Sequence, residues 1–107
     1  MSGLDDRENA FENKFAHDQE LEFKAVARRN KLLGLWAAGE MGIEGDAAQA
    51  YGKEVVMADF EEVGEEDVFR KIRGDFDAKG VDVSDHLIRK HMEDLMVEAR
   101  KQVSSEV

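Results

Sequence analysis

The sequence has no cysteine and no proline among its 107 residues, one tryptophan, one tyrosine, and nothing approaching the roughly 18 consecutive apolar residues of a membrane span. Without cysteine there is no disulfide, no thiol nucleophile and no thiolate metal site, and the redox compartment leaves no trace. The first residues, Met1, Ser2, Gly3, Leu4, Asp5 and Asp6, are polar and acidic. Neither a secretory signal nor direct membrane insertion is expected, and the chain reads as one small cytoplasmic domain. Basic charge is the other shortage, with 15 Lys and Arg against 25 Asp and Glu and a formal charge of -10. A nucleic-acid backbone would be approached against a negative field, which argues against nucleic acid as a partner. There is no glycine-rich phosphate loop followed by lysine, and no serine beside a base and an orienting group. No catalytic residues, and no enzyme, are expected.

The excess charge is concentrated. Residues 40–67 hold 10 acidic side chains and 1 basic one, which accounts for -9 of the -10, while the flanking stretches are close to neutral. This block reads as a solvated helix face with its turns. The run Glu61, Glu62, Val63, Gly64, Glu65, Glu66, Asp67 lacks the alternating oxygen ligands of a calcium loop.

Helical periodicity is the main structural signal. Leu21, Ala25, Leu32, Leu35 and Trp36 predict an amphipathic helix over residues 18–38, followed by Gly39, Gly42 and Gly45. Asp46 and Gln49 resemble a capping box, opening a second helix with Ala47, Ala50, Tyr51, Val55, Ala58 and Val63 inward and Gly52 weakening it. Val68, Phe69, Ile72 and Phe76 mark a third helix over residues 65–79, containing Gly74 and closed by Gly80. Ser84 or Asp85 can cap a fourth, with Ile88, Met92, Leu95, Met96, Ala99 and Val103 as its core face. The fold class is all-α, a small four-helix bundle. Its core needs Trp36, Phe69 and Phe76 as filling rather than as a ligand box. His86 and His91 are five apart and turn away from each other on one helix, and His17 stands alone, so no metal site and no cofactor is expected.

The first seventeen residues are different. At about 100° per residue, Leu4, Phe11 and Phe15 fall within roughly 40° of one another, and the stripe of Leu21, Ala25 and Leu32 is rotated from them by roughly 80°. That rotation suits a helix whose two parts face different partners. Arg7 and Lys14 flank the first stripe, and Asp5, Asp6, Glu8 and Glu12 surround it. A segment this charged stays in water alone, and one this amphipathic can enter a groove. The opposing reading, that Phe11 and Phe15 extend the bundle core, is equally compatible with the periodicity.

The tracts Leu4-Asp5-Asp6-Arg7, Ala10-Phe11 and Lys14-Phe15-Ala16-His17-Asp18, and the unbroken run from Ala27-Arg28-Arg29-Asn30 through Lys31-Leu32-Leu33-Gly34-Leu35-Trp36-Ala37-Ala38, resemble the zeta subunit family of alphaproteobacterial F-type ATP synthases. The resemblance continues through Tyr51, Lys53-Glu54-Val55-Val56 and Ala58-Asp59-Phe60-Glu61-Glu62, and loosens after Ile72. It implies a four-helix bundle with a mobile N-terminal segment, and a natural inhibitor of ATP hydrolysis by the catalytic head. In such proteins the N-terminal segment becomes helical in the crevice between a catalytic alpha and beta subunit and reaches toward the rotor gamma subunit.

Carried onto this chain, the resemblance implies an inhibitory segment at residues 1–17 and an anchoring bundle at residues 18–107. Leu4, Phe11 and Phe15 would fill apolar pockets, and Arg7 and Lys14 would pair with acidic groups of the head. His17, at the junction, is the residue to test for a pH switch. The protein would be a monomer when free, cytoplasmic, and peripherally associated with the membrane-bound synthase. Two departures stand out. Gly39, Gly42, Gly45 and Gly52 suggest an earlier end to the first helix or a looser connection, and Asn9 and Asn13 raise the cost of ordering the segment by some tenths of a kcal/mol each. Two alternatives remain open: an interaction module whose N-terminal segment binds another protein, and a bundle that binds a nucleotide weakly.

Overall fold

The computed structural model describes the backbone of residues 3–59 and 64–106 and the side chains of residues 18–59 and 64–106. Within it are four α-helices and no strand: α1 (Gly3–Glu40), α2 (Gly45–Ala58), α3 (Glu66–Lys79) and α4 (Asp85–Ser105). The all-α four-helix reading holds. Among the described residues no helix is long and apolar enough to cross a membrane.

The helix ends follow their local chemistry, with one exception. Ser84 Oγ accepts the Leu87 N–H at 3.1 Å and caps α4. Gly80 closes α3 in the left-handed region (φ 69°), where the Val81 N–H returns to the Phe76 carbonyl at 2.9 Å. Gly42 (φ 75°) does the same for α1, with the Ile43 N–H on the Ala38 carbonyl at 2.8 Å. The first helix therefore runs to Glu40 instead of ending early. The capping box expected at Asp46 does not form. α2 starts at Gly45 behind Glu44, which makes no side-chain cap, and Asp46 sits in the first turn, where its charge still favours the helix dipole.

α1 is the spine. α2 and α4 each run antiparallel to it along most of their length, and α3 closes the bundle near the middle. The core joins Leu33, Ala37 and Ala38 of α1, Tyr51 and Val55 of α2, Val68, Phe69, Ile72 and Phe76 of α3, and Ile88 and Met92 of α4. All four residues expected from α3 are buried, whereas Ala47 and Ala50 of α2 are exposed. Trp36 is half-buried, meets Phe76 edge-on at 5.7 Å between ring centroids and stacks on His91 at 4.0 Å. The imidazole thus packs on the bundle's one indole.

Polar clasps hold the small core together. The Tyr51 hydroxyl donates to Asp75 at 2.6 Å, and Lys71 bridges Asp75 and Glu54 at 3.1 and 3.3 Å, joining α2 to α3. Burial, then the hydrogen bond to Asp75, pushes the Tyr51 phenol well above its ordinary range. Arg73 reaches the Asp85 carboxylate at 3.0 Å and also donates to the Val83 carbonyl, fixing the turn from α3 into α4.

Candidate partner-binding site

Leu4, Arg7, Phe11, Lys14, Phe15 and His17 all fall on α1, within its first turns, and their side chains lie outside the described residues. Of the mobile segment expected there, residues 1–17, the backbone of residues 3–17 is described, as part of α1, and the side chains are not. The structure does establish the backbone that carries these positions and the end of the bundle from which it departs.

The end of α4 lies beside the first described side chains of α1. Its C-terminal residues Val103 and Ser104 lie beside Asp18 and Leu21, and the helix stops at Ser105. At 1.5 Å per residue the fifteen helical positions 3–17 extend about 22 Å farther. The overall dimensions, 65 × 25 × 21 Å, reflect this projection.

The junction is clamped by ion pairs across α1 and α4. Arg100 holds Glu22 through two hydrogen bonds, at 2.8 and 3.2 Å, and Arg28 reaches Gln102 at 2.8 Å and Glu106 at 2.6 Å. The hydrogen bond from Arg100 keeps the Glu22 carboxyl below its usual range, against a smaller opposing effect of burial. Deeper in, Arg29 is 4% exposed, donates to Asn30 at 2.7 Å and pairs with Glu65 at 3.0 Å, so a cation is sealed under the start of α3.

The register of α1 corrects one expectation. Leu21 and Leu32 are only half-buried, while Leu33 and Ala37 are fully buried, as are Ala25, Arg29, Asn30, Gly34 and Ala38 to within a few per cent. α1 is covered on two sides, and at its crossing with α2 it presents Gly34, which adds little to a hydropathy pattern. The buried face is therefore broader and turned toward Leu33. Positions 11 and 15 precede Arg29 and Leu33 by eighteen residues, or five turns, and share their direction. The true buried face is wide enough to include that direction, so the rotation of roughly 80° does not separate the two parts of the helix. The line of α1 that packs inside the bundle continues, past the end of α4, into the N-terminal segment.

Sequence reasoning missed Arg29 and Asn30 as buried polar residues, and it missed Phe23, which is 65% exposed. Phe23 was detectable in principle, as a large apolar residue among Glu20, Glu22 and Lys24 and out of phase with Leu21 and Ala25.

A sequence profile of the ATPase inhibitor subunit zeta family matches residues 1–102. The chain belongs to that family. A solved structure, determined by NMR in solution, is 50% identical to it, covers 81% of this chain and 99% of its own, and superposes with a TM-score of 0.73. Among curated proteins none matches. Membership in the zeta family makes the protein an ATPase inhibitor subunit by kind.

Proposed function

We propose that the protein inhibits ATP hydrolysis by the catalytic head of an F-type ATP synthase, with residues 1–17 as a helical wedge between a catalytic alpha and beta subunit and residues 18–107 as an anchor outside. The supporting observation is the extension of α1 past the end of α4 along the same face that buries Arg29 and Leu33. Inside the bundle that face is buried, and beyond the end of α4 the head takes over its cover.

On this reading Leu4, Phe11 and Phe15 enter apolar pockets, Arg7 and Lys14 meet acidic groups, and the tip approaches the rotor gamma subunit. Hydrolysis stops because turnover requires the crevice to open and close as the rotor turns. The inhibitor performs no chemistry and needs no cofactor. It acts from the cytoplasm, as a peripheral component of the membrane-bound synthase.

The test is ATP hydrolysis by the cognate head, titrated with the full chain and with a chain lacking residues 1–17. The full chain inhibits and the shortened one does not. Equal inhibition by both moves the active surface to the bundle and removes the wedge.

A further inference from the structure

α3 is tied to the first part of α4. Arg73 reaches Asp85, and Arg89 pairs with Glu66 and lies over the Phe69 ring at 4.0 Å. From residue 97 onward the chain's hydrogen bonds to another helix go, among the described residues, to α1: Arg100 donates to Glu22, and Gln102 and Glu106 accept from Arg28. Burial divides α4 at the same place. Ile88 and Met92 belong to the central core, whereas Ala99 and Val103, though buried, stand apart from it, as does Ala25 of α1. Val103 lies beside Leu21 and Ala25 along an open seam of about 170 Å3. Two alanines and a valine bury little apolar area, and ion pairs between partly exposed side chains add little more. Segments with few buried contacts and exposed ties open separately from the rest of a domain.

We infer that residues 97–105 form a strap over α1 that opens as one unit while the rest of the bundle stays closed, and that the catalytic head holds it open. The second half of this inference rests on the wedge reading above. Released from α1, the strap loses its helix, because so short a piece does not sustain one in water. What it uncovers is set by the periodicity of α1. Glu22, which Arg100 holds, points within about 20° of position 11, and Ala25 within about 40°. The strap therefore covers, next to the junction, the same face that positions 11 and 15 present beyond it. A head surface closed on residues 1–17 gains Leu21 and Ala25 by displacing the strap, which lengthens the wedge by about two turns.

Hydrogen exchange of the unaltered full chain tests the opening. Backbone amides of residues 99–103 exchange through one event, with a common protection at least tenfold below that of residues 88–95. Arg100→Gln lowers the protection of the strap a further two- to fivefold, roughly, and leaves residues 88–95 as they were. Protection that declines residue by residue toward Ser105 is simple fraying and overturns the strap, as does equal protection along all of α4. Because the chain has no cysteine, Val103→Cys supplies a single thiol, buried while the strap is closed, and its reaction with a maleimide reports the bound state. It reacts faster in complex with the head than free. An equal or slower reaction in the complex overturns the displacement while leaving the wedge intact. If instead the chain lacking residues 1–17 inhibits as well as the full chain, the wedge reading fails, and the exchange pattern still decides whether the strap opens as a unit.

Discussion

Gly34 of α1 lies so close to Gly52 of α2 that a Cβ at Gly34 would stand 2.6 Å from the Gly52 Cα. The two helices touch backbone to backbone there, and neither glycine can be understood from its own helix. Gly52 weakens α2 as a local propensity matter, yet it is buried and forms half of the crossing. Gly34→Ala forces the axes apart and costs about 2 kcal/mol or more, read as a lower denaturant midpoint with an unchanged slope. Gly52→Ala meets the Lys31 carbonyl at 3.3 Å, and the gain in helix propensity offsets part of that crowding, so its cost stays below about 1 kcal/mol.

Gly74 presents the opposite case. It sits inside α3, and a Cβ there meets nothing within 4 Å. Gly74→Ala stabilises the protein by about 0.5–1 kcal/mol, raising the thermal midpoint by several degrees. Gly80→Ala, at a φ of 69°, lowers stability by about 1 kcal/mol in the same assay.

The helices were legible in the sequence because apolar spacing and terminators agreed: Val68, Phe69, Ile72 and Phe76 before Gly80, and Ser84 before Ile88 and Met92. What could not be read was how α1 is covered. Its crossing with α2 is made at Gly34, set against Gly52 and Val55, a residue whose burial is a tertiary property, so the pattern pointed to Leu21 and Leu32 and misplaced the buried face. Arg29 was hidden for a related reason. A buried cation looks like a surface residue until Glu65, thirty-six positions away, is brought beside it. The family was legible in the run from Ala27 to Ala38, which holds both Arg29 and Gly34.

Acid weakens the clamp at the junction. Arg100 holds the Glu22 carboxyl below its ordinary value, so the pair's contribution is present above the unfolded value of about 4.5 and is lost as pH falls through the lower folded value. Both side chains are about half exposed, and the contribution is below about 1 kcal/mol. Comparing urea unfolding at pH 7 and pH 3, Glu22→Gln loses stability at the higher pH and little at the lower. An equal loss at both would assign Glu22 to packing instead of charge.

Continuity of the α1 face into the N-terminal segment is the central claim, and one titration tests it most directly: ATP hydrolysis by the cognate head against the full chain carrying Phe11→Ser and Phe15→Ser together, beside the unaltered chain and Glu12→Ala as an off-stripe control. The account predicts that the paired substitution raises the half-inhibitory concentration at least tenfold, with bundle stability unchanged, and that the control inhibits like the unaltered chain. Undiminished inhibition by the doubly substituted chain would contradict it.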